Sequence, residues 1–135
     1  MRRAAWEWNH ADRHTLTLRY WGDTTRTMAH DGYNVLFWGS SSAIITLYMW
    51  STGSDITEFD IAFSSSLTWN TNMVCPNPEF DVWNTAVHAF GQAIGFNILY
   101  GDEDDLKSMY RLLFTGEVRK RTLKSEDRQG IRRVY

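Results

Sequence analysis

The hydrophobic pattern of this chain changes its period once, at Asp81. Before Asp81, apolar and polar residues tend to alternate, which is typical of half-buried strands. After it, apolar residues recur about every 3.6 positions, which is typical of an amphipathic helix. A strand region followed by a helical region predicts an α+β fold. The length of 135 residues predicts a single domain that spans residues 1–135.

Four segments before Asp81 have the composition of strands: residues 15–20, 33–38, 43–50 and 56–63. Each is rich in β-branched or aromatic residues, and turn-forming residues separate them. We therefore expect a twisted mixed sheet of about four or five strands.

The helical region begins with residues 81–97, where Asp81 can cap the first turn and Gly95 can end the helix. An acidic segment, residues 102–105, leads into a further helical stretch at 106–113. A last helix is expected at 125–135. We expect the sheet to pack on the first of these helices, with the last one closing the domain.

Composition restricts the class of function. Fourteen basic and sixteen acidic side chains disfavour nucleic-acid binding by bulk charge, and we interpret the basic residues 119–121 as a solvated face. No apolar run approaches the roughly 20 residues of a membrane span. The residues after Arg2 and Arg3 are too polar for a signal peptide, so the compartment stays unassigned. The single cysteine, Cys75, excludes an internal disulfide.

The main helix contains a spacing that matters chemically. His88 and Gln92 are four residues apart, Ala89 lies between them, and Ile98 follows Gly95. Zinc proteases use His-Glu-x-x-His on a helix because residues i and i+4 share one face and can bind one ion. The spacing and the glycine fit that motif here, but the donor atoms do not.

On these residues the chain resembles the matrixins, the metzincin subfamily of zinc endopeptidases. Ser108-Met109-Tyr110 looks like the Met-turn of the family, and residues 121–135 are similar to its closing helix. Segments 34–38 and 56–63 look like two of its sheet strands. The resemblance implies a zincin-like fold. The long helix between the first two strands is missing, since only residues 24–30 are free for it, which indicates a trimmed version.

Transferred position by position, the resemblance places His88 at the first metal ligand, Ala89 at the general base, Gln92 at the second ligand and Ile98 at the third. Ala89 has no carboxylate, Ile98 cannot coordinate, and an amide is a weak zinc ligand. We therefore expect no intact metal site, no peptide hydrolysis and no cofactor. Calcium at residues 102–105 is a weaker possibility, and a solvated helix start is the favoured interpretation of these acids.

In matrixins an edge strand pairs with an extended peptide, and the matching stretch here is residues 43–48. Strand addition uses backbone groups and side pockets, so it can persist without zinc. Our first hypothesis is a catalytically inactive, metal-free module that binds peptide or protein. The candidate substrate-binding residues are Ala43, Ile44, Ile45, Thr46, Gln92, Ile98, Met109 and Tyr110.

Two alternatives stay open. In one, the chain is a metal-independent enzyme of another class, in which a small molecule occupies the vacated apolar cleft, His88 is the acid or base, and Gln92 donates a hydrogen bond. In the other, it is an inactivated mutant of a zinc endopeptidase. In each case we expect a monomer with a peptide or small-molecule ligand, and neither a nucleic-acid nor a membrane partner.

Overall fold

The computed structural model describes residues 1–11 and 15–135, which form an α+β fold with a small mixed sheet. Two short 3-10 turns, Asp102–Asp104 and Arg119–Arg121, lie between the last two helices. The helices and strands in chain order are α1 (Arg2–Asn9), β1 (Val35–Gly39), β2 (Ile45–Thr52), β3 (Asp55–Ser64), β4 (Trp69–Asn70), β5 (Phe80–Asp81), α2 (Val82–Ala93) and α3 (Ser125–Val134).

The main sheet has three strands in the order β1-β3-β2. Strand β3 lies in the centre, parallel to β1 and antiparallel to β2. Its residues from Glu58 onward are buried, because it has a strand on each side, α2 over one face, and the segment 29–35 against the acidic side chains of the other face. The prediction of four or five strands in one sheet is wrong, since β4 and β5 form a separate parallel pair. The predicted strands at 33–38, 43–50 and 56–63 correspond to β1, β2 and β3.

The strand predicted at residues 15–20 is also wrong, because this segment is irregular. Its alternation is real, since Leu16 and Leu18 pack against the core while their neighbours are exposed. The Leu18 backbone, however, bonds to a side chain: Asn9 Nδ2 donates to Leu18 O at 2.8 Å, and Leu18 N donates to Asn9 Oδ1 at 2.7 Å. An amide side chain of α1 thus takes the place of a partner strand.

Helix α1 is an element that the sequence analysis did not predict. It packs on α2 through the fully buried side chains of Ala4 and Trp8. The indole Nε1 of Trp8 donates to the carbonyl of Val87 in α2 at 2.8 Å. The segment 24–30, the only one free for a helix between the first two expected strands, is irregular. Among the described residues, the helix that precedes the sheet in the chain is thus α1.

Helix α2 confirms the main predicted helix, its cap at Asp81 and the turn at Gly95, but it ends at Ala93 and not at residue 97. Asp81 is the N-cap, and its side chain accepts a hydrogen bond from Asn84 N at 2.6 Å. At the other end, Phe96 N bonds to Gly91 O and Gly95 N bonds to Gln92 O, which is the Schellman pattern. Gly95 has φ of +92°, a conformation that favours glycine.

The helical stretch predicted at 106–113 is wrong, whereas the closing helix is confirmed as α3. Residues 102–104 form one 3-10 turn, and the chain then becomes irregular. The reason is tertiary, because Leu99 N donates to Met109 O at 2.9 Å and Arg111 N donates to Leu99 O at 3.0 Å. This pairing with the segment after α2 uses backbone groups that a helix would need.

The core lies where α1, α2 and the 108–110 loop meet at Gly91. A Cβ built at Gly91 would be 2.3 Å from Met109 Sδ and 2.7 Å from Trp8 Cζ2. Both of these side chains are buried in the core. The missing side chain at Gly91 therefore allows a loop and a helix to contact α2 at the same point.

Replacing Gly91 by alanine tests this packing. A helix interior normally gains about 1 kcal/mol from Gly→Ala, but the added methyl group must displace Met109 or Trp8. We expect the free energy of unfolding to fall by about 1–3 kcal/mol, the usual cost of overpacking, as measured by urea denaturation. Gln129→Ala on the exposed face of α3 serves as the control and should stay within about 0.5 kcal/mol of the parent. A more stable Gly91→Ala protein would contradict the packing described.

Candidate functional site

The centre of the site is His88, whose two ring nitrogens are both engaged. The ring is buried, with only 2% of the residue exposed. Nδ1 lies 2.9 Å from Ser108 O, and Nε2 lies 2.7 Å from Gln92 Nε2. A carbonyl oxygen can only accept, so Nδ1 carries the proton, and the Nε2 lone pair accepts an N–H of the Gln92 amide. His88 is thus a neutral imidazole with one hydrogen-bond partner for each ring nitrogen.

The surroundings of His88 favour this neutral form. Burial lowers the pKa of His88 to about 4, and the positive charge of Lys120 acts in the same direction. At neutral pH the imidazole therefore carries no charge. Its one lone pair is directed at Gln92.

The loop that supplies the Ser108 carbonyl is held by Lys120. This side chain is fully buried, and Nζ donates to Tyr110 O at 2.7 Å and to Leu112 O. Its backbone N donates to Asn84 Oδ1 of α2 at 2.7 Å. Burial lowers the pKa of Lys120 to about 8. Lys120 therefore connects α2 to the loop beneath His88.

The interpretation of residues 119–121 as a solvated face is wrong for two of its three members. Lys120 is buried as described, and the guanidinium of Arg121 forms a buried ion pair with Asp81 through Nε at 2.9 Å and through Nη2. Arg121 Nη2 also donates to Asn72 O at 2.7 Å. The carboxylate of Asp81 caps α2 as well, so one buried charge fixes both the helix start and the loop before β5.

His88, Gln92 and Ile98 occupy the three positions that the resemblance assigns to metal ligands. These residues do not fit a zinc ion. The lone pair of His88 that would bind metal accepts from Gln92, and Ile98 has no donor atom. Ala89, at the general-base position, is fully buried. Throughout residues 1–11 and 15–135, His, Cys, Asp and Glu side chains nowhere cluster in threes suited to a metal.

The acidic segment 102–105, considered for calcium, is partly neutralised by neighbouring cations. Asp104 Oδ1 accepts from Lys107 Nζ at 2.6 Å, and Asp105 lies 3.6 Å from Arg119. The segment is largely exposed, as expected for a solvated one, but it begins only a 3-10 turn, so its interpretation as the start of a helix at 106–113 is wrong.

Two buried acidic residues of β3, Glu58 and Asp60, hold the segment that leads into β1. Asp60 Oδ1 accepts from Val35 N at 2.8 Å, and its Oδ2 accepts from Ala29 N at 3.0 Å. Glu58 accepts from the backbone N–H groups of two further residues of the same loop, Asp31 and Gly32. Four backbone donors thus account for the four carboxylate oxygens.

A cleft of about 570 Å³ opens between β2 and the C-terminal end of α2. None of the residues that line it is charged at neutral pH, and five of them are apolar or aromatic. The lining residues are Leu47, Met49, Gln92, Phe96, Asn97, Ile98 and Tyr100.

Strand β2 borders this cleft with backbone groups that have no partner strand among the described residues. Within the described sheet its single neighbour is β3. Ser64 N donates to Ile44 O at 3.1 Å, so these two residues are a hydrogen-bonded pair of the ladder. In the register of the two strands, Thr46 and Ala62 are the next such pair. The alternate residues, Ile45, Leu47 and Met49, direct their N–H and C=O groups away from β3.

The structure brings together part of the predicted site. Gln92 contacts His88, and Gln92 and Ile98 line the same cleft. Met109 and Tyr110 are buried, and Met109 packs against α2 at Gly91. Ile45 and Thr46 begin β2, whereas Ala43 and Ile44 precede it. Whether these residues bind a substrate stays a prediction.

Five residues of the cleft are absent from the candidate binding residues: Leu47, which lies within the predicted peptide-pairing stretch 43–48, and Met49, Phe96, Asn97 and Tyr100, which lie outside it. The alternation in β2 offered one signal, because Ile45, Leu47 and Met49 share a face of the strand. The remaining three follow α2, and their position depends on the sharp turn at Gly95. The network through Ser108 and Lys120 left no signal in the sequence pattern.

Comparison with protein-family models and with curated proteins finds no match to this chain. None of the helices in the described parts of the chain is long and apolar enough to cross a membrane.

The titration of His88 predicts a specific dependence of stability on pH. The pKa of His88 is 6.5 in an unfolded chain and about 4 in the folded one, so the unfolded state binds more protons between these values. Stability is therefore complete above pH 6.5 and is lost as the pH falls towards 4. We expect this residue to contribute about 3 kcal/mol to that loss.

Urea denaturation at several pH values measures this contribution. His88→Gln should remove it and flatten the curve between pH 6.5 and pH 4, whatever its effect on stability at pH 7. The control Gln129→Ala replaces an exposed residue that does not titrate and should keep the shape of the parent's curve. Parallel curves for His88→Gln and the parent would contradict the assignment.

Proposed function

We propose that this chain is a matrixin-like domain without a working zinc site, and that it binds an extended peptide along the free edge of β2. The observation that carries the proposal is the combination of a strand edge that the described residues leave unpaired with a neutral, largely apolar cleft beside it. An extended peptide can complete such an edge with backbone hydrogen bonds while its side chains enter the cleft.

The backbone of β2 supports this role directly. Ile45, Leu47 and Met49 direct N–H and C=O groups away from β3. Met49 is 50% exposed, and Ile45 and Leu47 are partly exposed, so these residues are within reach of a ligand in solution. Exposed strand edges are pairing sites unless charges, prolines or bulges protect them. The only irregularity in the pairing of β2 with β3 lies beyond the cleft, between Trp50 and Ser51.

The arrangement at the three ligand positions supports a function without metal. His88 and Gln92 satisfy each other, and Ile98 adds apolar surface to the cleft. In a working metal site these positions would supply three donors to one ion. Here they supply a hydrogen-bonded wall and an apolar lining, both of which suit a neutral ligand.

The alternative of a metal-independent enzyme has less support. A general acid or base needs a pKa near the working pH and an accessible ring nitrogen. His88 is buried, its pKa is lowered to about 4, and both nitrogens have partners. The alternative of an inactivated zinc endopeptidase predicts that restoring the missing side chains restores peptide hydrolysis.

Binding can be measured with acetylated hexapeptide amides of the form Gly-Ser-X-X-Ser-Gly, with every pair of Leu, Ile, Met and Phe at the two X positions. We expect Kd values below about 1 mM, which corresponds to about 4 kcal/mol. NMR titration should shift the backbone amides of Ile45, Leu47 and Met49. Unchanged spectra with all of these peptides would overturn the proposal.

Two variants at Met49 separate backbone pairing from side-chain contact. Met49→Pro removes an outward N–H, and Met49→Ala keeps it while removing the same side chain. We expect the proline variant to bind about fivefold more weakly than the alanine variant, since one neutral hydrogen bond contributes about 1 kcal/mol. Equal Kd values for two folded variants would show that the β2 backbone is not used.

The resemblance to zinc endopeptidases predicts that a metal site can be restored. In Gln92→His/Ile98→His, His88 gains two imidazole partners, and calorimetric titration should show one zinc ion bound per chain with micromolar or better affinity, about 8 kcal/mol. Adding His88→Ala to this variant should abolish binding. A folded double variant that binds no zinc would contradict the placement of these three positions around one point.

Adding Ala89→Glu to the double variant tests the inactivated-protease alternative. Peptide hydrolysis by this triple variant would support that alternative, because the glutamate supplies the missing general base. Zinc binding without hydrolysis would favour the peptide-binding module.

A further inference from the structure

The amide of Gln92 has a fixed orientation, because only one arrangement satisfies its neighbours. Ser108 O accepts from His88 Nδ1, so His88 Nε2 has a lone pair and needs a donor. The Gln92 amide nitrogen, at 2.7 Å, is that donor. The flipped amide would place its oxygen against the Nε2 lone pair, which is repulsive.

This orientation leaves the other end of the amide for the cleft. Gln92 lines the cleft and is partly exposed. In the described parts of the chain, no residue donates a hydrogen bond to Gln92 Oε1. A partly exposed oxygen without a protein partner can accept from a ligand.

A peptide bound along β2 would present N–H groups, and the Gln92 Oε1 atom is an acceptor for such a group. When a strand pairs with β2, its N–H groups point alternately towards β2 and away from it. Gln92 lines the same cleft as Leu47 and Met49 of β2, so its amide lies on the surface that a peptide bound along β2 would cover. An N–H buried there would be costly without an acceptor.

Resting on the proposed function, we propose that Gln92 Oε1 accepts one backbone N–H of the bound peptide, and that His88 is the positioning residue that fixes this orientation. The cleft therefore selects a neutral extended segment with an apolar side chain and a free N–H at one defined position. A proline or an N-methylated residue at that position is disfavoured, because it has no N–H to donate.

The orientation can be tested without any ligand. In protein labelled with 15N at histidine, the ring nitrogens of His88 should show the neutral tautomer with the proton on Nδ1 at pH 7. A proton on Nε2, or a charged ring at pH 7, would overturn the assigned orientation of Gln92.

The contact itself is tested by pairing N-methylated peptides with a variant. The tightest-binding of the Gly-Ser-X-X-Ser-Gly hexapeptides is N-methylated at each residue in turn. Methylation that removes a bond to β2 should weaken binding to the parent and to Gln92→Leu alike. At one further position we expect about fivefold weaker binding to the parent and no further loss with Gln92→Leu.

The role of His88 is tested by pH. Protonation makes Nε2 a donor, which turns the Gln92 oxygen towards His88 and the NH₂ towards the cleft. Because the pKa of folded His88 is about 4, half of the rings are charged at pH 4. Binding of the unmodified hexapeptide to the folded parent should therefore weaken about twofold between pH 7 and pH 4, while Gln92→Leu should show no such dependence. Asn97→Ala, which changes another amide of the cleft, should keep the parent's pH profile.

The outcomes separate the two proposals. If none of the hexapeptides binds, both are overturned. If they bind but every methylation affects the parent and Gln92→Leu equally, peptide binding stands and the role of Gln92 is overturned. If the methylation result holds and the pH profiles are identical, the role of His88 is overturned.

Discussion

The close approach of α2 to its neighbours at Gly91 is the contact on which the rest of the structure depends. Because Gly91 has no side chain, Met109 and Trp8 both pack against the helix at this point. Seating Met109 there brings the carbonyl of Ser108, its neighbour in the chain, to His88. The same contact fixes α1 against α2. Core packing and the hydrogen bonding of the candidate site are therefore set by one glycine.

From that contact follows the chemical character of the site. Ser108 orients the imidazole of His88, and His88 in turn orients the amide of Gln92. A metal site needs several lone pairs directed at one point, whereas here the one available lone pair is used within the protein. The position that the resemblance gives to an ion is thus a hydrogen-bonded wall beside a neutral cleft. This is why peptide binding is the better proposal for this chain.

The parts of the fold that the sequence predicted correctly are those governed by local chemistry. Asp81 caps α2, Gly95 ends it, and the strand patterns predicted β1, β2 and β3. Helical spacing was also enough to place His88 beside Gln92. The predictions failed where a distant group satisfied the backbone. Asn9 bonds the backbone of Leu18 and prevents a strand there, and Leu99 pairs with the segment that was expected to be helical.

By itself, the sequence determined the periods of the elements, the caps of α2 and the residue types at Ala89, Gln92 and Ile98, which offer neither a carboxylate nor an imidazole. These follow from residue type and spacing, which act over one or two turns of chain. Only the tertiary structure decided that Lys120 is buried beneath the site and that the cleft is lined by Leu47 and Met49. Burial and strand register depend on contacts between segments far apart in the chain, and a local pattern carries no record of them.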